Sequence, residues 1–214
     1  MKVDYEVALE VACHEAIVRQ AYKDSKGVWT WSIGLTSKTG HDVERYIGKP
    51  QPLEHCLAIY AWALEKYAQD VREAFAGRQL TKPQFAAALS FHFNTGAIKR
   101  ATWVKTWLAG DVAQAAREFM QWSKPPEIIT RRMKERDLFF YGKWASRGTI
   151  TEYTRVRPSG IPDWSSATRI NIEQELRAAL KQRAPDQPPP PDIEPVAEKR
   201  GFWAWFKSVF GKGF

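Results

Sequence analysis

Two carboxylates and one hydroxyl near the N-terminus are the side chains whose types and spacing could do chemistry. Glu15 and Asp24 are nine residues apart, and Thr30 follows six residues after Asp24. Hydrolysis of a glycosidic bond needs a protonated carboxyl that donates to the leaving oxygen, and a second group that handles the attacking water. The three residues have the types that this chemistry requires. Taken one at a time, Glu15 is equally typical of a helix end, Asp24 of a turn and Thr30 of a strand.

The elements around these residues can bring them together. The apolar pattern of residues 4–14 predicts a helix, with Glu15 just past its apolar body. Residues 22–40 are rich in aromatic and β-branched side chains and contain two turn segments, which predicts a small hairpin sheet. Asp24 and Thr30 then lie on either side of the first turn. A carboxyl at the end of an apolar helix can have its pKa raised by desolvation while its partner stays ionised.

Helical patterns dominate the rest of the chain. Residues 53–76 have the apolar spacing of one long helix. Another helix is predicted to begin after Thr81, a favourable N-cap, with Pro83 in its first turn. A further helix is predicted from about Ser166 to Gln182.

The residues around Glu15, Asp24 and Thr30 closely resemble the signature of the phage-type lysozymes, glycoside hydrolase family 24. The resemblance covers about residues 5–147. Its matching segments, in chain order, are Ala21–Asp24, Trp29–Gly34, Leu80–Gly96, Leu108–Ala116, Trp122 and Arg131–Phe140.

The resemblance implies an α+β, mostly helical fold of the lysozyme type. Such a fold has two lobes, a small β-hairpin sheet and a long helix, here residues 53–76, that connects the lobes. It also implies roles for the three residues. Glu15 matches the general acid, Asp24 the second carboxylate that positions or activates water, and Thr30 the hydroxyl that orients the water. The implied substrate is the β-1,4 bond between N-acetylmuramic acid and N-acetylglucosamine in peptidoglycan.

Two further positions are assigned to substrate binding through the resemblance. Asn94 matches an amide that faces the cleft. Leu35 stands where relatives often carry a histidine that can pair with the catalytic glutamate. Losing that cation and gaining an apolar neighbour predicts a raised pKa for Glu15. The arginines of the last matching segment are expected to be structural or surface residues rather than catalytic ones: Arg131, Arg132 and Arg136.

Composition limits the kinds of partner. The net charge is +8; residues 184–198 contribute −4 and residues 199–214 contribute +4, so residues 1–183 carry +8. A basic body suits a polyanionic bacterial envelope. Nucleic acid is not expected as a partner, because there is no helix-turn-helix, zinc-ligand or basic-heptad signature. We expect a monomer.

The cysteines and histidines predict neither a metal site nor a cofactor. Cys13 and Cys56 are the two cysteines. We expect two reduced, partly buried thiols, and a bridge between them stays open as an alternative. No metal-ligand spacing appears among the four histidines.

The first residues lack the apolar run of a signal peptide, so synthesis in a host cytoplasm is expected.

The chain divides into four segments. A lysozyme domain is expected over residues 1–147, followed by an extension with a helix at 148–183. Residues 184–198 are acidic and proline-rich, which is typical of a stiff linker. Residues 199–214 have the pattern of a cationic amphipathic helix that lies in a membrane interface. The residues assigned to membrane contact are Phe202, Trp203, Trp205, Phe206, Lys207 and Phe210.

The preferred hypothesis is an endolysin that cleaves peptidoglycan and lyses the host, with a tail that contacts the membrane or outer membrane. The family implies a holin that releases such an enzyme to the periplasm or cell wall. A second hypothesis is a virion-associated lysozyme whose tail docks on a particle protein. A third is a membrane-active protein with a catalytically silent lysozyme fold, against which the intact Glu15, Asp24 and Thr30 argue.

Overall fold

The computed structural model describes residues 1–181 of the chain, so the predicted linker 184–198 and tail 199–214 lie outside the described residues. The helices are α1 Tyr5–Ala12, α2 Leu53–Ala74, α3 Lys82–Thr95, α4 Thr102–Leu108, α5 Val112–Phe119, α6 Ile129–Tyr141 and α7 Glu173–Lys181. The strands are β1 Ala16–Lys23, β2 Trp29–Ile33, β3 Leu35–Thr36, β4 Thr149–Tyr153 and β5 Ala167–Asn171. The predicted α+β, mostly helical fold is confirmed.

The first helix is short and apolar, and it ends just before Glu15. Its N-cap is Asp4, whose carboxylate accepts a hydrogen bond from the Val7 amide at 3.1 Å. Nearly the whole of α1 after its first turn is buried. The buried end of α1 therefore holds the backbone next to Glu15 in place.

The sheet is larger than the predicted hairpin. Its strand order is β3-β2-β1-β4-β5, and β4 runs parallel to β1 while the other neighbours are antiparallel. The first strand begins at Ala16, before the predicted start of the sheet. The prediction was wrong there because the three buried side chains among the eight of β1 do not alternate with exposed ones, and a register shift between Val18 and Tyr22 interrupts the pairing.

The long helix at the centre is confirmed as α2. It has 22 residues, which corresponds to a length of about 33 Å. It contacts α3, α7 and β2. The next helix, α3, begins as predicted with Thr81 as N-cap and Pro83 in its first turn, and Gln84 completes a capping box.

Aromatic side chains build the core of the helical lobe. Trp103 is fully buried and lies 4.7 Å from Phe119, 5.0 Å from Phe139 and 5.4 Å from Phe91, measured between ring centroids. The rings are tilted or edge-to-face, which are favourable arrangements for aromatic pairs. This packing fixes α6 against α3, and both helices border the site.

The extension shares the sheet and the core with the preceding residues. Its helix is confirmed only over α7, because Ala167–Asn171 forms β5 instead of a helical start. Pairing with β4 explains the difference, since Thr168 and Ile170 are β-branched residues opposite strand residues. The Asn171 side chain then accepts from the Glu173 amide at 2.8 Å and starts α7.

Within residues 1–181, the structure contains no helix with the length and apolar character that a bilayer crossing requires.

Candidate active site

One cleft brings together four of the sequence-predicted residues. Glu15, Asp24, Thr30 and Asn94 all line a cavity of about 620 Å³ between the sheet and the helical lobe. The other lining residues include Tyr22, Lys26, Gly34, Thr36, Phe93, Gln121, Trp122, Lys124 and Ile128. The volume is within the range of ordinary ligand sites, and the lining combines carboxylates, hydroxyls and aromatic rings.

Glu15 lies against the backbone of Gly34. A Cβ atom at Gly34 would be 3.3 Å from Glu15 Oε2 and 3.5 Å from the Phe93 ring. Gly34 also has a φ of +65°, a left-handed conformation that glycine adopts without steric cost. The turn between β2 and β3 therefore needs glycine for two reasons, and it leaves room for the carboxylate.

Arg131 is the main partner of Glu15 and was not predicted as a site residue. Its Nη1 donates to Glu15 Oε1 in a short ion pair, and its Nε donates to Glu135 Oε1 at 2.9 Å. The Arg131 side chain is only 10% exposed. Burial acts to lower its pKa, but the negative charges of Glu15 and Glu135 outweigh burial and raise the pKa above its usual value.

This contact corrects the reasoning about Leu35. Leu35 was expected to leave Glu15 without a cationic partner, but Arg131 supplies that cation from α6. Leu35 itself is fully buried in the hydrophobic core, so its assignment to substrate binding is wrong. Side chains alternate along a strand. The neighbouring Thr36 lines the cleft, and Leu35 lies in the core.

Behind Glu15 lies a buried cluster of charges. Arg132 and Glu135 are both fully buried and form an ion pair. Glu135 also accepts from Ser90 Oγ at 2.6 Å. With Arg131 and Glu15, the cluster contains two arginines and two glutamates, so its charges balance. Such a balance is what buried charges require.

Asn94 is held by the same cluster. Arg132 Nη2 donates to Asn94 Oδ1 at 2.7 Å. This bond occupies the amide oxygen and leaves the amide nitrogen as the donor at the cleft. Arg132 therefore behaves as the structural residue that the sequence analysis expected, although one of its bonds orients a cleft residue.

Asp24 is fixed by its own turn. Its Oδ1 accepts from the Lys26 amide at 2.8 Å and from the Val28 amide at 2.9 Å. This arrangement is an Asx-type turn, in which a carboxylate replaces a backbone acceptor. Neither bond uses Oδ2, so the second oxygen of Asp24 has no part in holding the turn.

Thr30 and Tyr22 are directly paired strand neighbours on β2 and β1. The Thr30 hydroxyl donates to the Val28 carbonyl at 3.1 Å, which leaves its oxygen able to accept from a water or substrate hydroxyl. Burial raises the pKa of Tyr22, and the charges of Glu15 and Asp24 raise it further. Tyr22 therefore lies within electrostatic reach of both carboxylates. Tyr22 also lines the cleft, and it was not predicted as a site residue because tyrosine is common in strands.

Within residues 1–181, side chains with metal-ligating chemistry cluster at the end of α1 rather than in the cleft. They are Glu10, Cys13 and His14. Cys13 and Cys56 are both free thiols, as expected.

Comparison with solved structures supports the fold. An endolysin from Escherichia coli O157:H7 phage FAHEc1 superposes with a TM-score of 0.59 at 22% identity, covering 68% of this chain and 98% of that one. A P22 lysozyme superposes with a TM-score of 0.52 at 24% identity, covering 65% and 98%. The active form of the P1 phage endolysin superposes with a TM-score of 0.52 at 21% identity, covering 66% and 86%.

Comparison of sequences identifies the family. The endolysin of Bacillus phage B103 is 37% identical over 87 residues, and the match spans only 32% of that relative. The sequence model of the phage lysozyme family matches residues 12–135, which is more than half of the chain and includes the whole cleft from Glu15 to Arg131. The chain therefore belongs to the phage lysozyme family, a family of glycoside hydrolases.

Proposed function

We propose that this chain is a muramidase, which hydrolyses the β-1,4 bond between N-acetylmuramic acid and N-acetylglucosamine in bacterial peptidoglycan. The observation that carries this proposal is the shared cleft. Glu15, Asp24 and Thr30 line it together, although they come from a helix end, a turn and a strand. Two carboxylates and a hydroxyl around one cavity are the groups that glycoside hydrolysis needs.

Glu15 acts as the general acid in this proposal. It donates its proton to the glycosidic oxygen as the bond to the anomeric carbon breaks, and the sugar leaves as a neutral alcohol. The donating form of Glu15 is uncharged, so Arg131 must keep another counterion while Glu15 holds a proton. Glu135 remains the counterion of Arg131, whose Nε donates to it at 2.9 Å, and it is also the counterion of Arg132, so the cluster carries a net charge of +1 while Glu15 holds its proton. Arg131 is thus a positioning residue for Glu15 in both charge states.

Asp24 and Thr30 act on the other reactants. The ionised Asp24 stabilises positive charge that develops at the anomeric carbon and accepts a proton from the attacking water through its unused Oδ2. Thr30 accepts a hydrogen bond from the same water and so orients it. Asn94 contributes its amide nitrogen as a donor to a sugar oxygen. Trp122 offers an apolar surface to a sugar ring.

Clearing of purified, membrane-free peptidoglycan tests the enzymatic proposal. Glu15→Gln should lower the clearing rate by about 10²–10⁴-fold, the usual contribution of a general acid. Glu6→Gln is the matched control, because Glu6 lies on the exposed side of α1, the helix that ends just before Glu15, and its ion pair within residues 1–181 is with Lys82. Normal clearing by Glu15→Gln would show that the catalytic assignment is wrong.

We also propose that the protein serves host lysis as an endolysin and that residues 199–214 contact the bacterial membrane or outer membrane. The support is the amphipathic sequence pattern of the tail, with aromatic residues on one side and cationic residues on most of the other. A truncation after Ala184 should clear purified peptidoglycan at the full rate and lose activity on cells with an intact outer membrane. Equal loss on both substrates would contradict the separate role of the tail. Sedimentation with phage particles would favour the virion-associated alternative.

A further inference from the structure

Three side chains with metal-ligating chemistry meet at the end of α1. The ligand atoms of Glu10, Cys13 and His14 all lie within 4.8 Å of one another. Their spacing of three and four residues places them on one face of the helix end. We propose that this cluster binds one divalent transition-metal ion of the zinc type, through Glu10 Oε1, Cys13 Sγ and His14 Nε2. The spacing of the four histidines predicted no metal site.

The imidazole of His14 is the observation that points to a ligand. Its side chain is 4% exposed, and its buried Nε2 has no hydrogen-bond partner in the described part of the chain. This nitrogen lies 3.5 Å from Glu10 Oε1. Zinc bonds of about 2.0–2.3 Å in a tetrahedral site hold two ligand atoms about 3.3–3.6 Å apart. The Glu10–His14 pair already has that separation, and the Cys13 sulfur lies within 4.8 Å of a ligand atom of each of the other two residues.

Glu10 is oriented toward such an ion before it binds. The residue is fully buried. Its Oε2 accepts from the Ser146 amide at 2.9 Å and the Ala145 amide at 3.1 Å, while Oε1 accepts from the Ala145 amide at 3.2 Å and lies 3.5 Å from His14 Nε2. Outer bonds that hold a ligating carboxylate in place are typical of metal sites.

Charge also favours a divalent ion at this position. Without metal, the Cys13 thiol donates to the Glu10 carbonyl at 3.1 Å. Metal binding breaks the S–H bond, forms the sulfur–metal bond and releases one proton to solvent, while His14 binds as the neutral imidazole. Two positive charges on the metal then meet one thiolate and one carboxylate, so the complex is neutral. A neutral complex avoids the cost of a buried net charge.

A simple ion pair between Glu10 and protonated His14 is the competing explanation, and Cys13 distinguishes the two. An ion pair leaves the thiol uninvolved, whereas the metal site requires a thiolate ligand. The full-length protein, reduced and freed of chelators, is therefore titrated with Co²⁺ as the probe. We expect a thiolate-to-cobalt charge-transfer band that saturates at one equivalent and disappears when Zn²⁺ is added.

Cys56 provides the matched control, since it is the other cysteine of the chain and is fully buried on α2. Cys13→Ser should abolish the band, and Cys56→Ser should retain it. His14→Gln should weaken Zn²⁺ binding by at least about 10–100-fold, which is the effect of removing even an outer partner of a metal ligand. Zn²⁺ should also raise the melting temperature of the wild type and leave that of Cys13→Ser unchanged.

Absence of the band in the wild type would overturn the proposal, and so would a band that survives Cys13→Ser. Circular dichroism and cooperative unfolding show whether each variant is folded. Cys13 is partly exposed, so serine is tolerated there. These readouts do not depend on peptidoglycan cleavage, and a failed metal site would leave the proposed enzymatic function untouched.

Discussion

Replacement of Arg131 is the sharpest test of how the cleft is held together. Arg131→Met keeps the length of the aliphatic stem but removes the cation that Glu15 and Glu135 share. Glu135 is fully buried, and the partners that it retains among residues 1–181 are Arg132 and Ser90. The cluster then carries one uncompensated negative charge.

The magnitude follows from burial. Removing one partner of a buried ion pair typically costs about 3–5 kcal/mol, because the remaining charge is stranded away from water. Arg131 is 10% exposed and Glu15 25% exposed, so solvent screens the Glu15 side in part. We therefore expect a loss near the lower end, about 3 kcal/mol in the free energy of unfolding. Peptidoglycan clearing should fall on the order of 100-fold, since a displacement of about 1 Å of a reacting group has that effect.

Urea unfolding and clearing assays measure the two effects. Arg136→Met is the control, because Arg136 lies on the same helix but pairs with its neighbour Asp137 at 28% exposure. Surface pairs contribute about 0–1 kcal/mol, so this variant should differ little from the wild type. If Arg131→Met and Arg136→Met lose equal stability, the charge cluster does not hold the cleft. A double-mutant cycle with Glu15→Gln then isolates the coupling between Arg131 and Glu15.

Two further predictions concern His55 and Gly160, which pack against the hairpin of β1 and β2. Burial and the neighbouring His41 and Arg45 lower the pKa of His55 to about 4. Between pH 6.5 and 4 the unfolded chain therefore binds a proton at this residue and the folded chain does not, so the free energy of unfolding should fall by about 2 kcal/mol from pH 8 to pH 5. His55→Gln should reduce that fall in urea titrations. If the variant keeps the full pH dependence, His55 is not its source. Gly160→Ala should lower the melting temperature more than Gly77→Ala does. Both glycines have a φ near +90°, so the backbone strain is similar. A Cβ at Gly160 would lie 3.3 Å from Lys23 and Trp29, whereas a Cβ at Gly77 would meet open space. Equal losses would show that close packing against the hairpin is unimportant.

Local signals explain which elements could be predicted from sequence. The N-caps Asp4 and Thr81 accept hydrogen bonds from amides three residues away. The apolar spacing of α2 repeats within one continuous stretch of sequence, so it can be recognised without knowledge of the rest of the fold. Pairing between β1 and β4 joins residues 16–17 to residues 151–152. No short pattern records such a pairing, so β4 and β5 could not be predicted, and the strand at 167–171 resembled the start of a helix.

The same distinction separates the residues of the cleft. Asp24 and Thr30 take their positions from the first turn and the strands beside it, whose contacts are local in the chain, and the expectation that this turn brings both residues near Glu15 agrees with the cleft that all three line. Glu15 depends on Arg131, which is 116 residues away in the chain. Motif matching found Arg131 as a conspicuous residue but gave no reason to place it against Glu15.

This difference has a consequence for how the two carboxylates respond to change. The position of Asp24 is fixed inside one hairpin, so substitutions in the helical lobe should leave it in place. The position of Glu15 is fixed from both sides of the cleft: Gly34 belongs to the sheet lobe, and Arg131 belongs to α6 of the helical lobe. A displacement of α6 relative to the sheet is therefore expected to change the direction of the Glu15 side chain relative to Asp24, because Arg131 holds that side chain from α6. The ion pair between Glu15 and Arg131 thus makes the separation of the two carboxylates depend on how the lobes pack.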